Sequence, residues 1–347
     1  MKPFTLLQTL GITFVLTGVI FSACRKSEGI NEIYFSENFR IYDLNDKSTD
    51  TLRGDVLIEE AFGATSIVSV DTILCMSTRD NNAMFALYST NGDSLASVGV
   101  MGQGPHDFTI GWTKGMRFDN GDDVGIWVID VNAARLKGFN ISKSLREGKS
   151  VVDTSYIMDP MVMNAVYTDG KIIESVPVGD NYEFRIISAA DLTVLYKEPL
   201  FKIKMNPMFT SYYCDMVLSP NGRYVVMAMR ALNAVNIIDL NDYSRLTASV
   251  GNVPHKDEVQ TDKSYERSPT LSDKYIITLS DNGYVSSDKR PSSLHIFDYR
   301  GNLIANVPLD RYLYSITYVA KDNSIYAIDD KEGVFRYPLD SIGLTND

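Results

Sequence analysis

Short apolar runs separated by polar turns recur along most of this chain. In the clearest example Val124, Ile126, Trp127, Val128 and Ile129 form one run and Asp130 to Ala134 form a turn. A half-polar return strand follows, with Phe139 and Ile141 on one face. Runs this short, rich in β-branched and aromatic residues, predict strands rather than helices. Comparable runs begin near Val70, Asp123, Asp169, Asn221, Asp273 and Asp322, at spacings of 53, 46, 52, 52 and 49 residues. Partner runs start at Met84, Arg135, Glu183, Ala234, Ser293 and Gly333. Most lead on through turns such as Asn91-Gly92-Asp93 and Arg300-Gly301-Asn302 to a further short strand.

A period of about fifty residues with three or four strands predicts an all-β fold, a six-bladed β-propeller. A single sheet with apolar residues on both faces cannot bury them, whereas sheets stacked round a ring can. Runs such as Ile126 to Ile129 therefore read as the innermost strands, and residues at their ends become the first functional candidates. The last unit shows only three strands, and Val56 to Phe62 lies ahead of the first unit without partners. That N-terminal strand is expected to complete the sixth blade and close the ring. Two β-sandwiches are the structural alternative, but no linker-like composition divides the chain.

The first residues have a different character. Lys2 precedes an apolar stretch, Phe4 to Phe21, that ends in Phe21-Ser22-Ala23-Cys24. A membrane-spanning helix and an ordinary cleaved secretion signal are alternatives. Small residues directly before a cysteine resemble the bacterial lipobox, with Phe21 in place of the usual Leu. That resemblance implies removal of residues 1–23, lipidation of Cys24 and export to the cell envelope, with the outer membrane as the expected site. Residues 24–54 are then a tether and residues 55–347 the propeller. Cys75 and Cys214 stand in or beside apolar strands, outside any metal-binding spacing, and read as buried free thiols.

A formal net charge of −11 argues against a nucleic-acid backbone or an anionic membrane surface as the main partner. Three histidines, His106, His255 and His295, are the full set, and neither a Gly-x-Ser-x-Gly elbow nor a His-Glu-x-x-His helix occurs. Catalysis by a nucleophile and a histidine is therefore poorly supported. His295 alternates with apolar residues and reads as a satisfied structural group. Carboxylates are frequent at strand ends, where they also make turns. Asp130 and Asn132 follow the Trp127 strand and are candidates for the channel mouth. Trp112, Tyr212 and Tyr213 are candidates for stacking on a sugar, against the alternative of filling gaps between blades. Residues 252–271 form a long, polar, charged connection, expected to be a flexible lid or a partner-contact loop.

Between the first two units lies Gly102-Gln103-Gly104-Pro105-His106-Asp107-Phe108. Read from its residues, the segment is a structural loop. Gly102 and Gly104 supply unusual backbone angles, Pro105 fixes a turn, and Phe108 anchors it. The functional alternative has His106 and Asp107 facing the channel. The segment, followed by a Trp and a Trp-Val-Ile-Asp strand, resembles six-bladed propeller lipoproteins of Bacteroidota, of the TolB-like or NHL-like kind. Asp107 stands where Glu is more usual. The resemblance implies a lipid-anchored envelope protein that binds a glycan, a peptide or another envelope protein. No cofactor is expected. In propeller enzymes such as lactonases, inward carboxylates hold Ca²⁺, and a Ca²⁺-dependent hydrolase or lyase is the competing expectation.

Overall fold

The computed structural model describes residues 33–345, except 81–82, 163, 180, 204–213, 252–261 and 286. Residues 1–23, Cys24, Tyr212, Tyr213 and His255 lie outside the described residues. Six antiparallel sheets follow one another round a ring, and Ile141–Glu147 is the one α-helix among the described residues. The fold is the six-bladed β-propeller expected from the repeat. Four sequential strands make each blade over residues 66–98, 111–157, 164–199, 214–250 and 263–308, while residues 313–338 supply three strands of the sixth.

The order of strands within a blade differs from expectation. Asp123–Asp130 is the second strand of its blade, because Gly111–Asn120 lies inside it and pairs with it from Gly111↔Asp130 to Asn120↔Asp123. The other inner strands are Ser66–Val70, Asn164–Thr168, Cys214–Leu218, Lys263–Leu271 and Leu313–Val319. Second strands have a strand on either edge and a blade on either face, which explains their unbroken apolar runs. Inner strands present one side to the channel and carry Ser, Thr or Arg there. For the same reason Lys263–Leu271, expected as loop, is the inner strand of the fifth blade.

Inner strands of adjacent blades share no backbone ladder, so side-chain hydroxyls join several of them. The amide of Ile67 donates to Ser315 Oγ at 3.2 Å, that of Ile316 to Ser268 Oγ at 3.0 Å, and that of Tyr318 to Thr270 Oγ1 at 3.0 Å. Ser69 Oγ and Thr317 Oγ1 lie 2.9 Å apart. These bonds satisfy edge groups that an open sheet would leave exposed. The apolar core lies between blades. Trp127 meets Tyr167 at 4.4 Å and Phe118 at 5.2 Å between ring centroids, which makes it packing between blades two and three.

An N-terminal strand closes the ring, as expected, though it runs from Asp55 to Ile58. It pairs antiparallel with Val334–Pro338. The preceding residues are not a free tether. From Ile33 they form a strap over the outer edges of three blades. Ile33–Tyr34 pairs with Lys202–Ile203 beyond blade three, and Phe39–Tyr42 adds a parallel strand to blade four. Asn306 of blade five then bonds to the strap through its amide to Lys47 O (3.0 Å) and its side chain to Leu44 O (2.7 Å).

Candidate functional site

The two mouths of the channel are built differently. At one, inner strands end in short turns such as Val70–Ile73 and Thr168–Lys171, with Asp71 and Asp169 in the left-handed region at φ 52° and 46°. At the other mouth, inner strands begin and the longer connections between blades arrive. Loops on a rigid scaffold are where binding groups are usually placed.

Each mouth opens into a cavity. The turn-side cavity is the larger, about 660 Å³, and its charged lining residues are Asp71, Arg117, Asp119, Asp169, Asp273 and Lys321. There Arg117 pairs with both Asp71 and Asp119. The loop-side cavity holds about 480 Å³ and takes residues from five of the six inner strands or their flanks. Arg79, Asp80, Asp215, Arg230, Arg267 and Tyr314 give it its chemical character. Arg79 and Arg230 follow the second strands of blades one and four, which stand opposite each other in a ring of six. Both are exposed.

Arg267 is the fixed element of this wall. Its Nε donates to Asp281 Oδ2 and its Nη2 to Asp281 Oδ1, each at 2.7 Å. Its Nη1 donates to Tyr314 O at 2.6 Å. Burial works against the charge, but the Asp281 carboxylate outweighs that and holds the guanidinium pKa above its ordinary value. Asp215 Oδ2 accepts from the amide of Ser268 at 3.0 Å. Two exposed arginines, two carboxylates and a lining of hydroxyls make a mouth suited to a polar ligand bearing both signs of charge.

The residues singled out from sequence lie elsewhere. Asp130 is fully buried and accepts from Lys137 Nζ (2.8 Å), the Thr109 hydroxyl and the amides of Thr109 and Ile110 (both 3.1 Å). It ties the Gly102–Phe108 loop to blade two and leaves the channel mouth to other groups. Asn132 is exposed on the loop side but lies outside the cavity wall. His106 turns away from the channel, its Nδ1 accepting from the amide of Val152 at 3.1 Å. Asp107 closes the loop on itself, Oδ2 accepting from the Gly104 amide at 2.9 Å.

Phe108 is buried against Phe85, 5.0 Å between centroids, as an anchor should be. Neither Gly102 nor Gly104 has a positive φ, so the reason for glycine is different from the one expected. The Asp107 carboxylate approaches so closely that a Cβ on Gly104 would stand 2.6 Å from Oδ2. Trp112 sits in the inner strand of blade two, and its side chain is outside the described part. Cys75 and Cys214 are buried thiols, and burial pushes the Cys75 thiol pKa up. His295 is fully buried, with Nδ1 2.7 Å from Glu266 Oε1, but its Nε2 finds no partner among the described residues.

Sequence reading missed Arg79, Arg230 and Asp215. Arg79 follows Ile73–Ser77 and Arg230 follows Tyr224–Met229, so aligning the ends of the second strands would have paired them. Ca²⁺ would require several carboxylates aimed inward. Among the described residues no group of three or more His, Cys, Asp or Glu side chains is placed to hold a metal ion.

No family model matches this chain, and no curated protein does. Among solved structures, a Bacteroides fragilis protein described as exported aligns with a TM-score of 0.57 at 11% identity, over 86% of this chain and 99% of its own. Hydrazine synthase of Kuenenia stuttgartiensis aligns with a TM-score of 0.49 at 13% identity, over 85% of this chain and 98% of its own. At these identities the likeness with the Bacteroides protein is one of fold.

Proposed function

We propose that this chain is an exported, lipid-anchored propeller that acts as a binding or scaffold module of the cell envelope. Its ligand is a glycan, a peptide or a segment of an envelope protein, received at the loop-side mouth. The observation that carries the reading is the polar cavity of about 480 Å³ at that mouth, with Arg79 and Arg230 contributed by opposed blades. A fold shared with an exported protein is consistent with the location. Guanidinium groups recognise carboxylates and other planar acceptors through paired hydrogen bonds, and hydroxyl-lined walls complement sugars or peptide backbone.

A binding screen against glycan and peptide arrays, using wild-type protein and two variants, tests the proposal. Binding is expected to fall at least tenfold in the Arg79→Ala/Arg230→Ala double variant and to persist in Asp119→Asn on the turn side. A ligand lost only with Asp119→Asn would place the site at the wrong mouth.

A further inference from the structure

We infer that the loop-side face of blades two and three rests against a lipid bilayer. The inference builds on the lipid-anchored reading and adds to it which part of the ring meets the membrane. It starts from where the chain joins the fold. Ile33 pairs with Ile203, and the segment leading to Ile203 leaves the outer strand of blade three on the loop side. There the Leu200 amide donates to Tyr182 O at 2.7 Å and Asn181 Nδ2 to Phe201 O at 2.6 Å. Only residues 25–32 separate Cys24 from Ile33. Fully extended, that stretch reaches about 30 Å. A lipid on Cys24 therefore keeps this sector of the ring close to the surface that holds the lipid.

The same sector carries exposed apolar side chains. Ile157, Met161 and Val178 are 54%, 56% and 47% exposed. Ile157 ends the outer strand of blade two and Met161 lies in the connection that follows. That connection is held to blade three by the pair Arg185–Asp159 at 3.4 Å. Val178 ends the second strand of blade three and pairs with Asn181, beside Phe201. All three stand at the loop-side ends of their elements, and Val178 lies beside the segment that leads to the point where the tether arrives. Val100 extends the exposed apolar character of this face towards blade one, up to the cavity wall at Met101 and Ile110. Grouped exposed apolar residues mark an interaction surface. A lipid anchor holds more firmly when a second contact with the membrane supports it.

The bilayer is favoured as occupant because the tether length fixes what this sector is near, whatever else the protein meets. With blades two and three against the surface, the channel axis leans and the mouth with Arg79 and Arg230 opens obliquely beside the membrane.

Site-specific fluorescence on the full lipidated chain, reconstituted in zwitterionic phosphatidylethanolamine/phosphatidylcholine vesicles, tests this. Met161→Cys places a label on the proposed face, and Asn221→Cys places one in a turn at the opposite mouth. Cys75 and Cys214 are buried, which reserves labelling for the introduced thiol. The label at 161 is expected to shift to the blue on reconstitution. Spin-labelled lipid is expected to quench it at least threefold more than the label at 221. Equal quenching at the two positions, or an unshifted spectrum at 161, overturns the inference. A blue shift without vesicles, together with a dimer in sedimentation, assigns the face to a second copy and also overturns it. Lipidation is read separately from the mass of the N-terminal peptide. If Cys24 is unmodified, Cys24→Ser forms of both labelled chains, tethered by an N-terminal histidine tag to nickel-chelating lipid, report on the face alone. A failed anchor and a failed face thus give different results.

Discussion

Lys137 Nζ donates to Asp130 Oδ2 at 2.8 Å, with the two side chains 7% and 0% exposed. Lys137 also donates to Asp107 O at 2.6 Å, so one buried ammonium joins the second and third strands of blade two to the glycine-rich loop. Removing one partner of such a pair leaves an uncompensated charge in the interior. Asp130→Ala is expected to lower stability by about 3–5 kcal/mol, measured by urea unfolding. A loss below about 1 kcal/mol would mean that the pair is solvated in solution.

That pair also sets an acid limit. Burial pushes the Asp130 carboxyl up, but Lys137, the Thr109 hydroxyl and the amides of Ile110 and Thr109 outweigh it and hold the pKa below the usual carboxylate range. An acid depressed in the folded state stabilises above its unfolded value of about 3.9 and loses that contribution as pH falls through the folded value. Between pH 5 and pH 2 wild type should lose more stability than Asp130→Asn, as followed by thermal melts. Parallel acid profiles would count against the assignment.

Glu174 behaves in the opposite sense. Burial raises its carboxyl to about 7, with Arg185 opposing the rise and Asp159 adding to it. Its Oε2 finds no partner among the described residues. An acid raised in the folded state stabilises below its unfolded value, about 4.3, and that contribution is lost as pH climbs to about 7. Glu174→Gln should match wild type near pH 4 and exceed it at pH 8 by up to about 3 kcal/mol. Identical pH profiles for the two proteins would reject the raised value.

Glycine at position 104 is required by a neighbour rather than by a backbone angle. Gly104→Ala is expected to cost about 1–3 kcal/mol because its Cβ would meet the Asp107 carboxylate. Asp107→Gly should absorb part of that loss in the double variant, giving a coupling of at least about 0.5 kcal/mol in a double-mutant cycle. Strictly additive losses would show that the clash is relieved in some other way.

Much of the fold was legible because the second strands advertise themselves. Val225 to Met229 and Ile325 to Ile328 are buried on both faces, so their apolar runs kept the period of the ring visible. The inner strands were not legible, since residues such as Arg267, Ser268 and Thr270 answer to the channel and resemble a loop. The same displacement by one strand misdirected the choice of site. Asp130 stands at the end of a second strand, where a charge is buried against Lys137, while the cavity wall comes from the flanks of strands that carry little apolar signal. Trp127, by contrast, packs where its apolar run suggests, because a large apolar ring between two sheets has nowhere else to go.

The strap has a consequence for the order in which the protein is made. Its residues come before the blades they bind, yet Leu44 is bonded to Asn306, 262 positions later, and Asp55–Ile58 waits for Val334–Pro338. Contacts so distant along the chain form slowly and late. Until the sixth blade is complete, the leading segment has no partner to hold it and the ring cannot shut. A ring whose closing strands lie so far apart along the chain stays open until its last blade has been made.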